Sequence, residues 1–569
     1  MLNSALSPND QTLNQRQKFT LSLPSAVLVS QCLILTILVL FPLMMLFFKA
    51  LFDRNDHYVG LNNFTLYFSN PALTSSIAHS LVIASTATMI TLIIATIYAY
   101  AITSSRIPFK GFFRLIALLP ILAPSLLPAI ALVYLFGHQG MLKFWLGTAE
   151  IYGPIGILMG YCFWLFPSVL MIMVPAFRGL DARLFEASRS LGAGAIRTHI
   201  KVMFPAIRYG LLSATMVAFT YVLTDFGIPK VIGGSYNMMA LDVYKQIIGQ
   251  QNFSMGAVVS LMLLIPALLA FVIDRVQKQS QERLQQQEAR PYQAKKDPWK
   301  TAVLLVFCSG VALCLLAVVG TAVFASFAKY WPYDLSMGLM HYHFEFVDGG
   351  GWKSYFNSLK LACLVTIIGT VFVFIAAFSS QRLKDLVLLK NLLQGLALLP
   401  MAIPGLVLGI AYIFFFNHPN NPLNFLYGTL AILVLSTVVH YYTVPHLTAL
   451  TALKQLPTQL DSAAMSLGVS VPTTFWRVYL PVCLPAVLDI SVYFFVNAMT
   501  TVSAAIFLYS PDTTLASVAI LNMDDAGDTA PAAAMGVLIL ATSLGVKVLH
   551  WLITSQLLKR TQRWRQEDG

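Results

Sequence analysis

The chain has 569 residues, 57% of them hydrophobic and only 11% charged, with a mean hydropathy of +0.72. A soluble protein carries roughly 25% charged residues, so this composition excludes a single aqueous core and makes lipid the solvent for much of the surface. The net charge of +12 would suit a nucleic-acid partner, but its distribution among the loops assigns it another role and implies no nucleic acid.

The N-terminal 20 residues are polar and lead into a full-length apolar run, which does not fit a cleaved signal peptide. Apolar runs then recur at 24–50, 78–103, 113–136, 153–177, 207–228, 254–274, 301–326, 357–379, 389–416, 426–449, 484–508 and 531–555. Each is long enough to cross roughly 30 Å of hydrocarbon as a helix. The predicted fold is an all-α polytopic membrane protein of about 12 spans. Lys and Arg number 27 in the N-terminus, the C-terminus and the alternate loops 104–114, 178–208, 275–300, 380–390 and 450–483, against 7 in the other loops. The positive-inside rule makes the first set cytoplasmic, with both termini on that side. The basic balance thus orients the chain in the bilayer. Cys32, Cys162, Cys308, Cys314, Cys363 and Cys483 lie in or beside apolar stretches and form no CxxC pair, so they read as small apolar filler.

A polar stretch, Arg275–Lys300, reads as a cytoplasmic linker between two halves, 1–274 and 301–569. Across it the sequence repeats. Leu-Leu-Pro at 118–120, followed by Pro124, matches 398–400, followed by Pro404, and Met255-Gly256 matches Met535-Gly536, both at a shift of 280. Arg189–Pro205 and Met465–Pro481 correspond at a shift of 276. Six spans per half is an even number, so the repeats run parallel, with a pathway expected between them.

In the loop after the fourth span of each half, one spacing occurs twice. The first copy has Glu186-Ala187-Ser188, Gly192, Val202, Phe204 and Pro205; the second has Ser462-Ala463-Ala464, Gly468, Val478, Leu480 and Pro481. The pattern predicts a short helix capped by Asp181 or Thr458, ended by a glycine suited to positive φ, with a proline marking entry into the next span. Small residues at 187, 188, 463 and 464 leave a surface that another protein can approach. Asp461, one residue from Ser462, points roughly 100° away on a helix and does not replace Glu186.

This spacing resembles the EAA loop of binding-protein-dependent ABC importer permeases of the MetI-like type. The resemblance covers nearly the whole chain. It implies an inner-membrane transport subunit of bacteria, not an enzyme. The two loops would dock on two copies of a separate ABC ATPase, and a periplasmic solute-binding protein would deliver the cargo. No GxxxxGK[ST] phosphate loop occurs here, so ATP would be used by the partner and no cofactor held by this chain. The fused layout is similar to the ferric-iron and phosphonate group, and residues 224–268 look closest to 2-aminoethylphosphonate permeases. The expected cargo is therefore 2-aminoethylphosphonate, with ferric iron, or a polyamine or thiamine-type solute, as the alternative. An ion-coupled secondary transporter would share the twelve spans but gives no reason for paired EAA spacing. A sensor or scaffold should carry a sizeable soluble domain, and none is evident.

Tyr221, Thr224 and Asp225 fall on one helix face near the end of the fifth span, and Asn497, Thr500 and Thr501 occupy the equivalent positions. Because an unpaired charge inside a span is costly, these residues read either as the lining of a substrate pathway or, for Asp225, as the cap of the following turn.

Overall fold

A helix interrupted at membrane depth exposes backbone groups that lipid cannot satisfy, so the interruptions are the informative part of this architecture. The computed structural model describes residues 23–284, 292, 297–382, 387–457 and 459–561. Eight helices are long and apolar enough to cross a membrane, and four further helix pairs qualify as bent spans, giving up to twelve. The chain is an all-α polytopic membrane protein. Its one small sheet among the described residues is a hairpin, Ala328–Tyr330 with Asp334–Met337, in the loop after the first span of the second half. Thr458 and the linker residues 285–291 and 293–296 lie outside the described residues; the start of the linker continues the helix Phe253–Leu284.

Four of the expected straight spans are broken, and prolines account for the breaks. Lys110–Leu122 meets Leu126–Phe136 at 104°, and Val387–Ala402 meets Gly405–Phe416 at 112°. The residues before Pro124 and Pro404, Ala123 and Ile403, are both extended, as a following proline ring requires. Leu430–His440 and Thr443–Lys454 are bent by 56°. There Pro445 offers no N–H to the Tyr441 carbonyl four residues earlier and its ring crowds that oxygen. The first half has one helix here, Pro154–Arg178, which Pro167 and Pro175 do not break. Val471–Val482 and Leu484–Thr500 are bent by 77° where Pro485 replaces the first half's Tyr209, whose helix runs unbroken over Ala195–Thr224.

The halves exchange their first spans. Ser25–Ala50 packs on the second half, where Phe41 and Phe415 ring centroids lie 6.2 Å apart. Pro298–Phe327 packs on the first half, where Ala322 joins Leu122, Leu127 and Ala131. Away from the basic loops, polar contacts tie the halves together: Lys230 Nζ to Asp525 Oδ1 at 2.8 Å, Tyr134 to Thr529 hydroxyls at 3.1 Å, and Trp331 Nε1 donating to Gln139 O at 3.1 Å. Burial, and then the adjacent Asp525 carboxylate, pushes Asp524 up to about 6, with Lys230 opposing. Because the folded state holds this proton more tightly than the unfolded one, stability falls as pH rises from about 4 to about 6 and is level above. Asp524→Asn should remove that slope and raise the melting temperature in detergent at pH 7 to 8 relative to the parent; an unchanged slope would speak against this assignment.

Beside the fifth-span break of each half, one glycine and one serine are packed face to face in opposite order. A Cβ on Gly227 would lie 2.5 Å from Ser125 Oγ, and a Cβ on Gly405 would lie 2.9 Å from Ser503 Cβ. Residues 125 and 405 correspond, as do 227 and 503, so each half has room for one side chain at this contact. Gly405→Ser should destabilise by about 1–3 kcal/mol through overpacking, and adding Ser503→Gly should restore the melting temperature. Failure of the double variant to recover would refute the shared-space account.

Candidate functional site

The two EAA-like loops adopt the same local structure. In the first, Asp181 Oδ1 accepts the Arg183 N–H at 3.0 Å and caps Ala182–Ser190. Gly192 then turns the chain with φ +74, and Gly468 does the same with φ +65 after Gln459–Ser466. A Cβ at either glycine would meet nothing within 4 Å, so the outer side of both turns is open. Leu191 is 87% exposed and Leu467 78%, which leaves a large apolar side chain projecting beside each turn. Glu186, Ala187, Ser462 and Ala463 are exposed, and Ser188 and Ala464 half-buried. Ser188 Oγ is 2.9 Å from Thr198 Oγ1, which closes the first loop on itself.

Both loops enter the membrane through one π-helical turn, His199–Met203 and Phe475–Tyr479, related by 276. Pro205 and Pro481 explain it: each lacks the N–H that the carbonyl four residues earlier would accept. The ladder widens instead, with Phe204 N–H bonded to His199 O and Leu480 N–H to Phe475 O. Such turns recur at functional sites. Sequence reasoning found the prolines but not this turn, although their spacing from Gly192 and Gly468 was the available signal.

The loops are anchored differently. In the first, Phe185 is buried beneath the linker residue Tyr292, their rings stacked with centroids 3.8 Å apart, and Tyr292 N–H donates to Leu180 O at 3.1 Å. The second half has Asp461 in place of Phe185; its Oδ1 accepts the Tyr479 hydroxyl at 2.6 Å. Asp461 is thereby turned toward its own half rather than outward as Glu186 is.

The fifth-span residues divide into two kinds. The helix Phe204–Thr224 stops at Asp225, and Leu484–Thr500 stops at Thr501, both in extended conformation. Asp225 is buried; its Oδ2 accepts the Ile228 N–H at 3.1 Å, Ser125 and the Gly227 N–H also face the carboxylate, and its own carbonyl accepts the Tyr161 hydroxyl at 3.1 Å. Asp225 therefore caps the short helix Gly227–Ile232. Thr501 is buried as well, and its carbonyl accepts the Ser517 hydroxyl. Tyr221, Thr224, Asn497 and Thr500 keep some exposure, with Asn497 Nδ2 donating to Tyr493 O and Thr500 to Val496 O. Asp225→Asn retains an acceptor for Ile228 and should fold normally, whereas Asp225→Ala leaves that N–H buried and unpaired and should cost about 1–3 kcal/mol. Equal melting temperatures for the two variants would contradict the capping role.

Comparison with known proteins places these features in a family. The model of the binding-protein-dependent transport system inner membrane component matches twice, at residues 92–286 and 386–558. The chain is 28% identical over 488 residues to the ferric transport system permease protein FbpB of Actinobacillus pleuropneumoniae, covering 83% of this chain and 70% of that one. It is 21% identical over 495 residues to the Fe(3+)-transport system permease protein FbpB 2 of Haemophilus influenzae, covering 86% and 91%. Similarity to the spermidine/putrescine transport system permease protein PotB of Haemophilus influenzae is 25% over 239 residues, 40% of this chain and 83% of that one. With the family domain matched in each half, on either side of the linker, the chain belongs to the binding-protein-dependent ABC transporter permeases, as a fusion of two such units.

Proposed function

We propose that this permease carries ferric iron, handed over by an external binding protein, across the bacterial inner membrane to the cytoplasm, with both termini on the cytoplasmic side. The supporting observation is that ferric permeases align with over four-fifths of the chain, through both halves. This reading replaces the expectation of 2-aminoethylphosphonate, which rested on residues 224–268 alone. A deletion strain should grow poorly under iron limitation and normally on 2-aminoethylphosphonate as sole phosphorus source. The reverse pattern would overturn the ferric reading and leave the permease reading intact.

Energy comes from a separate ATPase, in two copies, one for each loop. The Gly192 and Gly468 turns present open backbone and an exposed leucine, and the π turns join each loop directly to the fifth span of its half. A push on the first loop is thus passed straight to the helix that ends at Asp225, and a push on the second reaches the helix that ends at Thr501 through the bend at Cys483. Gly192→Trp and Gly468→Trp should each abolish uptake while membrane insertion is unchanged, since the bulk projects outward and not into the fold. The exposed Glu186 adds a charge contact that Ser462 cannot, one worth about 0.2–1 kcal/mol at a solvated surface. Glu186→Ala should therefore weaken ATPase association most at low salt, and Ser462→Ala should leave it unaltered. Normal uptake by either tryptophan variant would remove the docking role from that loop.

A further inference from the structure

Between the halves, close to the two fifth-span breaks, lies a group of aromatic residues that the coupling scheme does not use. Tyr221 comes from the first half; Tyr441 and Tyr493 come from the second, with ring centroids 6.2 Å apart. Tyr221 lies within electrostatic range of both. It is 40% exposed although Trp164 packs on it with ring centroids 5.8 Å apart. The hydroxyls of Tyr221 and Tyr493 have no hydrogen-bond partner in the protein among the described residues, while Thr501 faces that of Tyr441. The His440 ring lies 4.5 Å from Tyr441, and its Nδ1 is buried without a partner among the described residues.

The position of Tyr441 follows from a local accident of sequence. In the first half Tyr161 sits inside an unbroken helix and spends its hydroxyl on the Asp225 carbonyl. In the second half the Pro445 break falls at Tyr441 itself, and the ring is brought against Tyr493. Tight packing alone would be served equally by phenylalanine. Three phenols and an imidazole with two hydroxyls and one ring nitrogen left open are instead a donor set.

We propose that Tyr221, Tyr441 and Tyr493, with His440 beside them, form a transit site where a hard, multiply charged metal cation is held by phenol oxygens on its way between the halves. The proposal rests on the ferric reading of the cargo. Hard cations take oxygen ligands, and tyrosine oxygen is an established ligand of iron. Ligands bind such ions deprotonated, so binding releases protons. Each ligating phenol displaces one water ligand of the ion, forms one oxygen–metal bond and loses one proton to water. Protons return to the oxygens when the ion leaves, so no electron is transferred and no bond in the protein is permanently changed. Neutral phenols in the empty state also avoid the cost of a buried unpaired charge. This provides a site that is charged only while it is occupied.

The test uses the purified full-length chain in lipid nanodiscs with terbium(III), whose emission is sensitised by tyrosine only at close range. The parent should show saturable sensitised emission. The double variant Tyr441→Phe/Tyr493→Phe, which keeps both rings, should keep its melting temperature and bind terbium at least tenfold more weakly. Ferric nitrilotriacetate should give the parent, and not the double variant, a visible phenolate-to-iron band. Absence of saturable emission in the parent, or unchanged affinity in the double variant, would overturn the site. Growth of the deletion strain under iron limitation is a separate readout, so a failed titration counts against this site and not against the ferric reading.

Discussion

A backbone group left unpaired in the middle of a bilayer has no water to turn to, and the fold is arranged around meeting that requirement wherever its helices stop. At Asp225 the carboxylate takes up the N–H of Ile228 and the carbonyl takes the Tyr161 hydroxyl. At Thr501 the carbonyl takes the Ser517 hydroxyl. A bent pair follows the same logic: Thr443 donates to Ala397 O, near the end of the helix Val387–Leu398, at 2.8 Å. Non-helical backbone at this depth is tolerated only where it is buried in protein or lines a cavity. The contacts that satisfy these breaks come from the same half, Tyr161 and Ile228 for Asp225 and Ser517 for Thr501.

The repeats are close enough to share a design and different enough to divide labour. Both halves have the open glycine turn, the π turn and the fifth span that ends short. They differ in how the loop is held, by the Phe185–Tyr292 stack on one side and the Asp461–Tyr479 hydrogen bond on the other. They differ again in which helices are bent, through Pro445 and Pro485 in the second half alone. Exchange of the first spans makes each half complete only against the other. In a membrane, where helix association depends on close packing rather than on escape from water, such exchange gives two parallel units a reason to remain one body.

The sequence was most legible where a rule acts on it through short range. Span number followed from run length, and the loop turns followed from glycine at fixed spacing; Asp181 capped its helix as its type and position suggested. The bends were less legible, because apolar runs such as 389–416 look continuous to a hydropathy count while Pro404 folds them back. Asp225 was open between pathway and cap, since spacing puts it on the same face as Tyr221 but cannot show that Ser125 and Ile228 lie beside it. The aromatic group was invisible for the same reason: Tyr221, Tyr441 and Tyr493 are far apart in the chain, and only the Pro445 break and the crossing of the halves bring them together. Tyr292 lay in what read as a featureless linker, and nothing in its neighbours announced that it would pack on Phe185.

The central claim is that two matched loops receive the force of an ATPase. A photo-crosslinking residue placed at Leu191 or at Leu467, in membranes holding the assembled transporter, tests it most directly. The account predicts that both positions crosslink to the ATPase subunit, since both side chains project beside an open turn. Crosslinks to lipid or to this chain alone, from both positions, would contradict it.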